Sequence, residues 1–247
     1  MDTDTLELIV STNRWSSLLP EIILGCFAVL ILFIDLILPR VRPHLSRISI
    51  GVQVIAGILL ILGMQASKGS ETLFAGLIAQ TATGNWMRLF FLVSSIFVTH
   101  IGAVFLRKQN LANVEFYHLV LVVSATFMVL VQSNHFLMLF VALETLTIGF
   151  YVLVAYKRDS RPSLEAGLKY LIMAAFSSGI LLFGIALLYG AASNPALPGT
   201  ASSPLNFAEL GAFIGTTSEY YNNSQHLLVL FGAALVLSGI CFKIGVV

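Results

Sequence analysis

Charge is what this sequence lacks. Asp, Glu, Lys and Arg make up 10% of its 247 residues, against about 25% in a typical soluble domain. So few charges cannot cover a water-facing surface, and a soluble globular protein is excluded. Cysteine is scarce too. Cys26 and Cys241 are the two present, each inside an apolar run, which argues against a disulfide framework or a zinc site. The net charge is +1 and no basic patch carries interleaved aromatics, so nucleic acid is not a partner. The opening MDTDTLELIV is acidic where a secretory signal would be basic, and the first apolar run is therefore read as a retained span. What remains is apolar: 57% of residues are hydrophobic, the composition of an integral membrane protein.

Seven apolar segments follow one another, at about residues 18–38, 48–66, 87–106, 116–132, 136–156, 166–190 and 227–247. A bilayer offers the backbone no water to bond, so each is expected to be a helix despite many β-branched residues. The expected fold class is all-α and polytopic. Basic residues set the expected orientation. Arg40, Arg42, Arg47, Arg107, Lys108, Lys157, Arg158 and Arg161 fall in alternate connections, against Arg14, Lys68 and Arg88 on the other side. Eight against three places the first group in the cytoplasm and the N-terminus outside. Trp15 and Trp86 then sit at the outer interface, where indole rings anchor. The polar stretch 67–85 is expected to be an outer loop, as is 191–225, whose FAELGAF piece could form a short surface helix.

The fifth span, LMLFVALETLTIGFYVLVAY, carries Glu144 near its middle. A charge at the bilayer centre costs roughly 2.5–3.5 kcal/mol on insertion scales and calls for a partner, a water cavity or a proton. Two lysines on other spans are candidates. Lys243 lies deep in the seventh span, and Lys169 near the start of the sixth. A Glu–Lys pair about 5 Å apart at an effective dielectric near 20 is worth about 3 kcal/mol. That nearly matches the insertion cost of one charge, so such a pair is marginal and could be separated by an arriving charge. For Lys169 a plainer account competes: Glu165 precedes it by four residues, the favourable order for a surface helical pair. For Lys243 the competing account is snorkelling to the cytoplasmic side. His100 in the third span is a possible accessory relay, with a hydrogen bond to a neighbouring carbonyl as its ordinary alternative. His118 and His135 are read as interfacial. Glu21, beside Pro20 in a first helical turn, is read as structural, and Asp35 as an interfacial partner of Arg40. The second span has no formal charge and is read as packing and anchorage. Ala174, Ala175, Ser178 and Gly179 are expected to admit a neighbouring helix closely.

Four stretches carry a family resemblance. They are LLPEIILGCFAVLILFIDLILP, FVALETLTIGFYVLVAYKRDS, SLEAGLKYLIMAAFSSGILLFGIALLYG and LSGICFKIGVV. Together, in this order and spacing, they resemble the antiporter-like membrane subunits of respiratory complex I, the NADH-quinone oxidoreductase. The resemblance implies a core of some fourteen spans with two inverted five-helix repeats. Residues 1–110 would form an N-terminal three-helix segment and 111–247 the first, incomplete repeat. It also implies a proton half-channel in which Glu144, Lys169 and Lys243 take part. It implies no cofactor on this chain, with NADH, FMN, iron–sulfur clusters and quinone handled by other subunits. The lipid bilayer and other complex I membrane subunits would be its partners, in a bacterial inner membrane. The chain stops at Val247 within an apolar run, which reads as truncation inside the seventh span. A stand-alone or multisubunit cation/proton antiporter shares the Glu–Lys pattern and is the alternative. A seven-span retinal protein is disfavoured: no carboxylate lies inside span three, and no tryptophan lies in a span core.

Overall fold

The computed structural model describes residues 13–37, 42, 44–66, 69–109, 114–194, 203–220 and 223–245. A 3-10 turn, Trp15–Leu18, leads into α1 (Leu19–Ile37), with Pro20 in its first turn and α2 (Leu45–Ala66) following. A two-stranded antiparallel hairpin comes next, β1 (Glu71–Leu73) against β2 (Ile78–Gln80). Then come α3 (Ala82–Gln109), α4 (Val114–Gln132), α5 (Phe136–Val154), α6 (Arg161–Ala192), α7 (Phe207–Tyr220) and α8 (Asn223–Ile244). Among the described residues seven helices are long and apolar enough to cross a membrane; α7, the fourteen-residue helix anticipated at FAELGAF, is the exception.

The helices are built inside out relative to a soluble bundle. In α3 the buried positions include Asn85, Arg88, Ser95 and Thr99, while Phe90, Val93, Phe97, Ile101 and Val104 are exposed. Spacings of three, four and seven put the polar residues on one stripe. That stripe faces protein and the apolar remainder faces lipid, the arrangement a bilayer rewards. At 28 residues and 1.5 Å per residue, α3 is about 42 Å long, more than the ~30 Å hydrocarbon core.

Two apolar cores result. One joins Leu24, Ala28 and Ile31 of α1 to Val52, Ala56 and Leu60 of α2, Leu92 of α3, and Leu121 and Met128 of α4. The other joins Leu181, Ile185 and Leu188 of α6 to Leu210 and Phe213 of α7 and to Val229 and Val236 of α8, with Phe136, Phe140 and Leu143 of α5 against it. Helices α6 and α8 approach closely through glycines. A Cβ added at Gly184 would lie 2.7 Å from the backbone nitrogen of Val236, and one at Gly239 would lie 2.7 Å from Cβ of Leu181. Of the expected small-residue stretch, Ser178 is buried against α5 and its neighbour Ser177 bonds the Gly239 carbonyl of α8 at 2.9 Å, whereas a Cβ at Gly179 would meet nothing within 4 Å.

The stretch expected to be an outer loop contains the hairpin instead. Its turn uses positive φ at Phe74, Ala75 and Gly76 (54°, 52° and 83°), a conformation disfavoured for the first two. External bonds hold it. Asn134 Nδ2 donates to the Gly76 carbonyl at 3.1 Å, and the Asn134 backbone N–H donates to the Leu77 carbonyl at 2.9 Å. The hairpin, the α4–α5 turn and the approach to α7 are thereby joined at one end of the bundle, where Phe136 N–H also bonds Leu205 O at 2.9 Å. The opposite, basic end carries the Arg158–Glu115 bridge at 2.7 Å. Asp35 is held by Arg42 at 2.6 Å; Arg40, its expected partner, lies outside the described residues.

Candidate functional site

Glu144 is the ninth residue of α5, and Thr147 follows one turn later. Both face α6 and α8. Lys243 stands in the last turn of α8, where the negative end of the helix dipole favours a cation. Its ammonium donates to Glu144 Oε1 and reaches Thr147 Oγ1 at 3.4 Å. Thr147 accepts this while donating its own hydrogen to the Leu143 carbonyl at 2.7 Å. On α6, Ser178 Oγ donates to the same Glu144 oxygen and also lies 2.8 Å from the Ala174 carbonyl. Three helices thus meet at one carboxylate oxygen.

The two charges are unequally covered: the Lys243 side chain is 8% exposed, that of Glu144 31%. Beside them lies a cavity of about 570 Å³, whose walls include Phe127, Leu146, Phe150, Tyr170, Ile240 and Lys243. The walls are largely apolar, and among the described residues Lys243 is the one charge lining it. At about 30 Å³ per water in the liquid it has room for water, with Lys243, Thr147 and Tyr170 as the polar side chains on its wall.

Lys169 is not brought to this site. Its ammonium bonds Glu165 at 2.6 Å, with side chains 72% and 65% exposed. Tyr170, one residue and about 100° further round the helix, is what α6 turns towards the cavity. The i,i+4 surface pair is therefore the arrangement seen for Glu165 and Lys169. His100 is exposed and has no hydrogen bond to the described residues. His118, read as interfacial, instead reaches into the bundle, where its Nδ1 bonds the Ala28 carbonyl of α1 at 2.7 Å. His135 caps α5: its Nδ1 accepts from Leu137 N–H at 3.2 Å. Partial burial holds its pKa below the ordinary histidine value, in keeping with an imidazole used as an acceptor.

Two polar clusters are not legible in the sequence. The first is a buried ion pair, Glu21 on α1 with Arg88 on α3, 2.6 Å apart and 5% and 1% exposed. Gln132 on α4 donates to the same Glu21 oxygen at 2.9 Å, and Arg88 also bonds Asn85 Oδ1 and the Ser17 carbonyl. Sequence alone puts Arg88 among the loop charges because it borders its apolar run. The available signal is a basic residue and an acid each a few residues inside a span, at the same end. The second cluster links Gln53 of α2 to Ser95 and Thr99 of α3 at 2.9 and 3.0 Å, with Ser124 of α4 bonded to Ser95. No charge marks it, so α2 reads from sequence as packing alone.

Seven apolar helices with a carboxylate–ammonium pair among them define a multi-pass integral membrane protein with an ionisable site within its span. Residues 133–247 match the family model described as NADH:quinone oxidoreductase/Mrp antiporter, TM. Over these residues the chain is similar to this family of antiporter-like membrane subunits, and it is a multi-pass integral protein of the bacterial inner membrane. It is 49% identical to NADH-quinone oxidoreductase subunit N 1 of Opitutus terrae, over 99% of this chain and 48% of that protein. It is 32% identical to NADH-quinone oxidoreductase subunit N of Magnetococcus marinus, over 81% of this chain and 38% of the other. The chain thus spans about half the length, or less, of the curated relatives it matches. A chain of respiratory complex I from Thermus thermophilus shares the fold, with a TM-score of 0.59 at 21% identity, over 91% of this chain and 49% of that one. An archaeal membrane-bound sulfane sulfur reductase chain does so with a TM-score of 0.58, over 87% of this chain and 44% of that one.

Proposed function

We propose that this chain is part of a proton-translocating membrane subunit of an NADH-quinone oxidoreductase, and that Glu144 and Lys243 are its proton-handling pair. The observation carrying this is the direct bond between a carboxylate and an amine from separate spans, beside a cavity able to hold water. A contact ion pair at an effective dielectric near 20 is worth about 5 kcal/mol. Placing two charges in the membrane costs a similar ~5–7 kcal/mol on insertion scales. The pair is held without a large surplus, and a further charge nearby can part it. Lys243, once released from Glu144, gives its proton to water in the cavity; Glu144, having lost its cation, takes up a proton from the other side. Thr147 and Ser178 hold the two groups in register throughout.

In this reading the basic end of the bundle faces the cytoplasm and the hairpin end faces outward. Residues 1–110 form a three-helix flank and 111–247 the first part of an antiporter-like repeat. The chain carries no redox cofactor; NADH, FMN, iron–sulfur clusters and quinone belong to other subunits, and redox energy arrives by electrostatics. A free cation/proton antiporter is the second reading, since the matching family model spans both kinds of protein; the named subunit N relatives favour the first.

The test uses the full-length chain in its assembled complex, reconstituted in vesicles. Glu144→Gln and Lys243→Met should each lower proton pumping per quinone reduced by several-fold with assembly preserved. A correctly assembled double variant that pumps normally overturns the proposal.

A further inference from the structure

The Glu21–Arg88–Gln132 cluster is bonded on one side and unsatisfied on the other. Glu21 Oε1 accepts from Arg88 Nη2 at 2.6 Å and from Gln132 Nε2 at 2.9 Å. Gln132 Nε2 uses its second hydrogen on the Met128 carbonyl at 3.1 Å, which fixes the amide orientation; flipped, its oxygen would face a carboxylate. Three atoms are left buried with no hydrogen-bond partner: Glu21 Oε2, Gln132 Oε1 and Arg88 Nε. Each is joined through a single carbon to an atom of the Glu21 Oε1 junction, so the three belong to one bonded cluster across α1, α3 and α4. Their residues are 5%, 1% and 1% exposed. A buried polar atom left unpaired costs about 1–3 kcal/mol, more where charge is involved, so three in one cluster demand a partner.

The unsatisfied set is two acceptors and one donor. A cation would satisfy the acceptors but would face Arg88 Nε–H. An anion would bond Nε–H but would face a carboxylate oxygen and an amide oxygen. A molecule with two hydrogens to give and a lone pair to receive matches all three, and a buried water typically makes about three such bonds. A source lies alongside: a cavity of about 250 Å³ at the hairpin end, lined by Ser17, Asn85 and Arg88 together with Arg14, Glu71 and Gln80.

We infer that the Glu21–Arg88–Gln132 cluster is a binding site for a single ordered water, which donates to Glu21 Oε2 and Gln132 Oε1 and accepts from Arg88 Nε. The water completes a clamp across α1, α3 and α4 and exchanges through the hairpin-end cavity. Proton transfer at Glu144 plays no part in it.

A high-resolution map of the full-length chain in its assembled complex tests it. The expected result is one density peak within about 3.2 Å of all three atoms, hydrogen-bond distance. No peak there, in a map that shows other buried waters, overturns the inference. So does a peak about 2.3–2.6 Å from the oxygens, the distance of a bound metal ion such as calcium. In the Gln132→Met variant, which keeps the bulk and removes the amide, the peak should be lost; its persistence overturns the three-atom site. Should that variant fail to assemble, the map of the unaltered protein decides alone.

Discussion

Among the described residues stand two intramembrane ion pairs, and they are built differently. Glu21–Arg88 is almost wholly enclosed, and its arginine is bonded to Glu21, to Asn85 and to the Ser17 carbonyl. Glu144–Lys243 is nearly a third exposed at its acid and borders a cavity. The cations differ in kind. A guanidinium stays protonated and forms a rigid fork, whereas an amine is a point charge that can give up its proton. Burial, partners and cation chemistry fit the proposed function, in which the first pair is a fastening and the second a pair that opens. Both cations border a cavity, so what separates the pairs is the chemistry of the cation and the exposure of its acid.

The sharpest way to break this contrast is to remove each cation. Arg88→Met strands a buried carboxylate and should destabilise the full-length chain by about 3–5 kcal/mol, seen as loss of assembled complex and a lowered unfolding midpoint. Adding Glu21→Gln should recover much of the loss. If Arg88→Met leaves assembly unchanged, the fastening role is refuted. Lys243→Arg asks the opposite question. It retains the charge beside Glu144 but not a releasable proton, so the loss of stability should stay below that of Arg88→Met while pumping falls several-fold. Unimpaired pumping would mean that Lys243 serves as a charge alone.

A smaller effect should follow from wedging α6 from α8. Gly239→Ala places a methyl 2.7 Å from Leu181 Cβ and 3.0 Å from its backbone. Overpacking of this kind costs about 1–3 kcal/mol. Because α8 also carries Lys243, pumping should decline with stability. Gly179→Ala, whose added methyl meets nothing within 4 Å, is the matched control on α6 and should leave both intact.

The contrast also marks what the sequence can tell. The seven spans are legible because an apolar run of about 20 residues has the length a bilayer asks of a helix, and Glu144 and Lys243 because each interrupts such a run. Arg88 is not, since it borders its run, and no linear pattern says that α1 and α3 face each other there. Gln53 is hidden for want of charge, though an amide in a span needs partners as a carboxylate does. The hairpin is hidden because its three-residue strands are too short to show alternation. Lys169 is readable two ways, towards Glu144 or towards Glu165; only the angular placement of Tyr170 and Lys169 about α6 separates them.

The gentlest probe acts away from both pairs, at the α4–α5 turn. His135 caps α5 by accepting the Leu137 N–H through Nδ1, which requires the neutral ring. Desolvation lowers its pKa from the ordinary value. A base with a depressed folded-state pKa contributes stability that is fully present above its unfolded value near 6.5 and is lost as pH falls through the lower folded value. His135→Ala should therefore cost about 1 kcal/mol, the usual worth of a side-chain cap, at pH 8. That difference from the unaltered chain should shrink as the unfolding midpoint is followed into acid. The site at Glu144 lies more than two turns along α5 from this cap, so pumping per quinone should be unchanged at pH 8. A stability difference that grows in acid would show that the ring is held protonated and that the cap is formed by another acceptor.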